Sequence, residues 1–336
     1  MRWPSTNASR REGWRKRTDR AAHVWLLPAV LWLGLSACSV RKMVVNSFAT
    51  TLTEGSAAAY AQDDDPELVE AALPFLLKTI ETLLQSAPDN RDLLLAAATG
   101  FVQYAHAYVL QPANAVQFTD RTSARSGRER ARRLFLRAYE YGLRALSLSL
   151  PDVRTQLPTN PEQAVAHASV ADVPALYWTA AALGSAIAVS KNDMALVADL
   201  PIVRALLNRA LELDEGWGDG ALHEFFIVLE MSGSEPDAVA RAEQHFQRAV
   251  ELKRGRAVSP LVTFAETVCV KQQDRRRFQA LLQQALAFDP NRFPEQRLAN
   301  LLAQRKARAL LANIDYLFFA EDLEPEVDKE VTDSKN

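Results

Sequence analysis

Ala210-Leu211-Glu212-Leu213-Asp214-Glu215 and Ala285-Leu286-Ala287-Phe288-Asp289-Pro290 are two versions of one helix ending. In each, a small residue leads into apolar side chains and then into acids or a proline that stop the helix. Phe278, Leu282 and Ala285 fall on one face of the second helix before Pro290 closes it. Ala242, Phe246 and Ala249 have the spacing expected of a neighbouring helix. A small residue with a large one three or four positions away lets two helices approach closely, and recurrence lets pair stack on pair.

These blocks, which begin near Pro201, resemble tetratricopeptide repeats. The resemblance implies an all-α fold: a TPR-like helical-repeat, right-handed superhelix of antiparallel helix pairs. Segments before Pro201 fit the register poorly, so divergent repeats are expected there. Composition agrees, because the 336 residues hold only 12 Gly and show no sustained period-two alternation between turn residues.

The earlier chain is read in order. Val40 to Ala61 is a first expected helix, ended by Asp63-Asp64-Asp65-Pro66, which is good N-terminal chemistry for a second. Leu68, Ala72, Phe75, Thr79 and Leu83 continue that second helix, with Pro74 expected to bend it. Ala87-Pro88-Asp89-Asn90 is a turn, and Arg91 to Leu110 is a third helix, apolar nearly all round and so internal. Its polar exceptions, Thr99, Gln103 and His106, sit at i, i+4 and i+7 on one stripe, with Tyr104 and Tyr108 on an adjacent face. Buried polar groups need partners, so the stripe either bonds neighbouring helices or lines a ligand cavity. Gln111 to Gly127 reads as a long loop. The helix from Arg128 to Leu150 sets Arg130, Arg133, Arg137 and Arg144 opposite its apolar side, a solvated face or a contact for an acidic partner or anionic lipid. Pro151, Pro158 and Pro161 mark another irregular connection. Val173 to Ser190 is small and apolar, with Tyr177 and Trp178 near its start as core aromatics or a ligand platform. The last helix is expected from Pro294 to Phe319, and the acidic tail 321–336 is expected to be disordered.

The start of the chain sets the compartment. Arg10, Arg11, Arg15, Lys16, Arg17 and Arg20 precede an uncharged apolar run, Val24 to Ala37, that is too short to span a membrane and ends in Leu35-Ser36-Ala37-Cys38. The arrangement resembles a bacterial lipoprotein signal. It implies residues 1–37 as a signal peptide, lipidation at Cys38, and a folded domain over 38–320. Acyl chains on Cys38 would hold the protein at the membrane. Ser39, where inner-membrane retention would place Asp, directs the anchor to the outer membrane in preference to the inner.

The first 38 residues contain seven Lys or Arg and two Asp or Glu, so the remainder carries 32 basic and 39 acidic side chains, a net charge of −7. That balance argues against a nucleic-acid partner. With Cys38 acylated, Cys269 is left alone as a small buried apolar residue, and no disulfide is available. The scan for chemistry gives no catalytic residues and no metal site. His223-Glu224-Phe225-Phe226 lacks the second histidine of a zinc-binding helix, and no Gly-Xaa-Ser-Xaa-Gly elbow or phosphate-cradling loop occurs. Ser39-Val40-Arg41-Lys42 is a chance match to a Ser-Xaa-Xaa-Lys motif, and Gly216-Trp217-Gly218-Asp219-Gly220 follows a helix and reads as a repeat turn. No enzyme and no cofactor is expected.

The blocks in order resemble one family: Asp63 to Phe75, Leu93 to Tyr108, Arg133 to Leu143, Ala175 to Trp178, and His223 to Phe226. It is the tetratricopeptide-like T-component (TatT) family associated with TRAP transporters, matched from Cys38 to about Phe319. The resemblance implies a periplasmic lipoprotein that docks a TRAP solute-binding protein, forms a homo-oligomer such as a trimer, and accommodates a small organic acid or apolar solute. Thr99, Gln103, His106, Tyr104, Tyr108, Tyr177, Trp178 and His223 are the candidate cleft residues. The competing reading is a TPR scaffold lipoprotein of outer-membrane assembly or cell-wall machinery, with no small ligand.

Overall fold

A computed structural model describes residues 58–233 and 235–319. The signal segment, Cys38, the Ser39 to Lys42 match, most of the first expected helix and the tail 321–336 lie outside these residues; of that first helix, 58–61 are described and are helical. The regular elements among the described residues are all helical, as the sequence predicts.

The first long helix, α1 (Pro66–Ser86), starts where Asp65 accepts the Leu68 N–H at 2.9 Å and Pro66 supplies a preset φ. Pro74 lies inside it. Asn90 caps α2 (Arg91–Tyr104) by accepting from Leu93 N. This helix runs on through a π turn, Ala105–Leu110, into a further helical turn, Gln111–Ala115. Asp120 then caps α3 (Arg121–Ser147) through Ser123 N. Most of Gln111 to Gly127 is therefore helical and not a loop. The turn-forming residues there serve other ends: Pro112 opens a helical segment, and Gly127 lets α3 approach Ala113, whose methyl occupies the space a Cβ would need.

Short helices at Val153–Gln156 and Pro161–Val165 lead to α4 (Val173–Ala188). Helix α4 packs on both α3 and α2. Its contact with α3 is close because Gly142 faces Thr179, whose hydroxyl donates back to Ala175 O at 2.6 Å. Ahead of α4, Asp172 is 3 % exposed and receives Arg91 Nη2 at 2.9 Å and Ser149 Oγ at 2.7 Å, with Ser169 N completing its shell. Burial alone would raise its pKa, but these bonds and the Arg91 charge outweigh it and hold the carboxyl below its ordinary value. The arginine face of α3 is solvated, as read, with Arg130, Arg133 and Arg137 exposed, and it also makes contacts within the molecule: Arg130 donates to Tyr104 Oη, Arg144 to Pro88 O, and Arg137 lies 3.6 Å from Glu81.

The later helices are α5 (Leu200–Leu213), α6 (Ala221–Glu230), α7 (Ala238–Lys253), α8 (Ser259–Phe264), α9 (Arg275–Leu286) and α10 (Arg297–Ala312). A second π turn, Ala265–Cys269, extends α8. The register read from the sequence is the buried one: Ala210, Ala242, Ala249, Phe278, Leu282 and Ala285 are all inaccessible. The long final helix breaks at Asn313 before a short turn, Ile314–Leu317.

Two apolar cores result. The first joins α1 to α6 and is centred on Phe135, Leu146, Leu176 and Leu206; the second joins α6 to α10 around Phe246, Phe264, Phe278 and Leu282. Buried Glu230 accepts from Arg204 at 2.7 Å and from Arg241 at 2.5 Å, so α5, α6 and α7 are pinned where the cores meet. Helix α10 then returns to the start of the chain. Arg305 Nη2 donates to Ala107 O at 3.2 Å, Asn313 Nδ2 to Ala115 O at 3.1 Å, and Arg297 Nη1 to Gln62 O at 3.0 Å.

Candidate functional site

The return of α10 walls one side of an open cavity of about 780 Å³ on the seam between the two cores. Its size lies within the roughly 300–1,000 Å³ of small-molecule sites. Helices α1, α2 and α4 form one side, and α6, α8 and α10 the other. Thr99, Gln103, His106 and Tyr108 all face this space, and so do Tyr177 and Trp178 from α4. The structure thus brings six of the sequence-derived candidates together.

Two candidates stand elsewhere. Tyr104 turns to Arg130, which donates to its hydroxyl at 3.1 Å and stacks over its ring. His223 looks away from the cavity: its Nδ1 is 2.8 Å from His245 Nδ1 and its Nε2 is 3.1 Å from Glu215. Arg248 grips that carboxylate with two bonds, which keeps Glu215 ionised well below the usual range. If His223 donates through Nε2, its Nδ1 must accept from His245. The cluster is a strap between α6 and α7, and burial lowers the pKa of both imidazoles, His245 to about 4. Among the described residues no cluster of three or more His, Cys, Asp or Glu suits a metal ion.

Both π turns contribute to the wall, the first with His106, Ala107 and Tyr108, the second with Glu266 and Thr267. A π turn adds a residue to one helical turn and re-aims the side chains that follow. Pro112 helps explain the first one. Proline has no N–H for the carbonyl of Ala107 five residues back, and Arg305 supplies that bond from α10. The same guanidinium lies 5.4 Å from the centre of the Tyr108 ring.

Sequence reasoning missed the far wall. Ser259, Thr263, Glu266 and Lys306 line the cavity. The signal was present: Ser259, Thr263, Glu266 and Thr267 recur at helical spacing in an otherwise apolar run, the same pattern as Thr99, Gln103 and His106. Glu224 accepts Ser259 Oγ at 2.8 Å and Thr263 Oγ1 at 2.9 Å. Lys306 Nζ sits 2.5 Å from Glu266 Oε2. At His106, burial first, then the charge of Lys306, pushes the imidazole pKa down to about 4. Tyr177 packs edge-on to Trp178 with ring centres 5.0 Å apart and tilts against Trp217 at 4.7 Å, which makes a rigid aromatic corner. Two polar atoms of wall residues, Tyr108 Oη and Gln111 Oε1, are buried without a protein partner. A more open depression of about 930 Å³ meets the cavity at Leu110, Asn114 and Ala188.

Residues 62–318 match the family described as TRAP transporter T-component. A relative from Treponema pallidum (strain Nichols), an uncharacterized protein, is 26 % identical over 304 residues, which cover 84 % of this chain and 94 % of the relative. The family match runs from the residue after the first helical turn to the end of the second core, so it takes in both packing units and nearly all of the cavity wall. On that span the chain belongs to the TRAP transporter T-component family, and so to the transport-associated components that accompany a TRAP transporter.

Proposed function

We propose that this protein is a periplasmic adaptor, lipid-anchored through Cys38, that docks the solute-binding protein of a TRAP transporter and holds a small, largely apolar solute in the seam cavity. Its helices stack in the TPR-like manner and the working form is a homo-oligomer such as a trimer. Membership of the family supports the transporter association and a periplasmic or membrane-associated location.

One observation carries the solute role. The Thr99, Gln103 and His106 stripe lines one cavity together with Tyr177 and Trp178, so hydrogen-bonding groups and an aromatic platform meet in a single space. A few convergent polar groups in an otherwise apolar lining are what orient a small molecule in such a site. The test is capture from periplasmic extract with the full chain, alongside the variant T99A/Q103A/H106A. The native protein should enrich a TRAP-type solute-binding protein and retain a solute detectable by mass spectrometry; the variant should stay folded and lose the solute. Solute retention unchanged in the variant would end the assignment of the stripe, and enrichment of assembly or cell-wall proteins would turn the reading to a scaffold. Cys38→Ser should release the protein from the membrane fraction.

A further inference from the structure

The charges in the cavity wall restrict what it can hold. Lys306 is the single Lys or Arg side chain lining it among the described residues, and its Nζ is already 2.5 Å from Glu266 Oε2. Glu224 is engaged by Ser259 and Thr263 and lies 4.0 Å from Lys253, which stands behind the wall. Glu295 is a third carboxylate, at the exposed rim. His106 adds no positive charge near neutral pH, because burial and Lys306 favour its neutral form. Leu73, Val102, Trp178, Phe225, Leu298 and Leu302 supply apolar surface.

A carboxylate entering this space would lose its hydration and meet no unmatched cation, a burial that is expensive when uncompensated. An uncharged molecule with an apolar body and an O–H or N–H group loses less. The Thr99 hydroxyl, the Gln103 amide and the neutral His106 ring line the space and offer such a group both donors and acceptors.

We propose that Glu266 is the specificity-determining residue of the cavity: by neutralising Lys306 it bars carboxylates and reserves the space for uncharged amphiphiles bearing an alcohol or amide group. The proposal rests on the reading of the cavity as a solute site. Glu266 is placed for this on the second π turn, where its carboxylate pairs with Lys306 of α10.

The test is calorimetric titration of the full chain at pH 7.5 with octan-1-ol and with octanoate, which share a chain length and differ in charge. The native protein should bind the alcohol about tenfold or more tightly than the acid. Glu266→Gln should unmask Lys306 and raise octanoate affinity about tenfold, with octanol held within about threefold. The double variant E266Q/K306M removes both charges and should again refuse octanoate while keeping octanol. A native preference for octanoate overturns the proposal, as does an unmoved alcohol-to-acid ratio in E266Q or octanoate bound by the double variant as tightly as octanol. If E266Q does not fold, the native ratio and the double variant still decide. If neither compound binds the native protein, the solute-site reading itself falls, a result distinct from binding with the wrong preference.

Discussion

The two cores solve one packing problem in different ways. In the second, helices are buried on one side: α9 hides Phe278, Leu282 and Ala285 and gives the rest of its surface to arginines and glutamines. In the first, α4 is surrounded and buries Val173, Ala175, Leu176, Thr179 and the run Ala180 to Leu183. A one-sided helix must write its periodicity into the sequence, whereas a surrounded helix has no outside face to mark and replaces large side chains with Ala, Gly and Thr. Helices α2 and α4 are apolar and long enough, with their flanking turns, to pass for membrane spans by composition, yet more than half of each such window is buried within the protein. The lesson is that uniform apolarity here marks the middle of a helical stack.

The largest way to break this comparison is Phe278→Ala. Removing a fully buried ring should cost about 3–5 kcal/mol. Hydrogen exchange should show protection falling first in α8 to α10 while α2 to α4 keep theirs; a uniform loss would mean the two cores unfold as one. Asp172→Ala strikes the first core instead. It leaves Arg91 and two serines without their acceptor and should cost about 2–4 kcal/mol in urea denaturation. Because the native carboxyl is held below its unfolded value, its contribution is present above about pH 4 and is lost as pH falls further. Gly142→Ala sharpens the contrast in packing density. A methyl at 142 would strike the Thr179 side chain and backbone, so about 1–3 kcal/mol should be lost, while Ala→Gly changes on the exposed side of α9 should cost no more than about 1 kcal/mol.

A pH dependence is shared by the two regions. His106 on the cavity wall and His245 in the α6 to α7 strap both have pKa values lowered to about 4. The unfolded chain takes up those protons near pH 6.5 and the folded one does not. Stability should therefore be full above pH 6.5 and decline toward pH 4, by up to about 1.4 kcal/mol per pH unit for each histidine. Thermal melts of H106Q and H245Q should each show a shallower decline; parallel slopes would exclude burial of the neutral rings as the cause.

The same contrast explains what was legible in the sequence. The all-α class and the α7 and α9 registers follow from single-faced patterns such as Phe278, Leu282 and Ala285. The acidic run before Pro66 placed the start of α1 and the Ala87 to Asn90 turn that of α2, and Asp65 and Asn90 prove to cap the two helices. The stretch after Leu110 was misread because Pro112 and Gly127 have two uses: each is a turn signal, and each also permits a π turn or a close crossing that only tertiary structure reveals. Thr99, Gln103 and His106 share one cavity because the polar stripe on α2 survives the π turn that follows Tyr104, and Tyr177 and Trp178 join them from α4. Tyr104 and His223 fall away from it, since each finds a stronger partner, Arg130 in one case and Glu215 with His245 in the other. Glu266 and Lys306 are 40 positions apart, on segments that meet through the second core, and no local pattern pairs them.

The bonds from α10 to Gln62, Ala107 and Ala115 join partners 235, 198 and 198 positions apart. Most of the chain can be synthesised, and both cores largely assembled, before any of these bonds can form. Until the ribosome has delivered the last helix, the α10 part of the wall is missing and the cavity is open along that side. A chain clipped near residue 297 would lose one wall of the cavity together with Ala303 and Ala307 of the second core, so container and core stand or fall with the same helix.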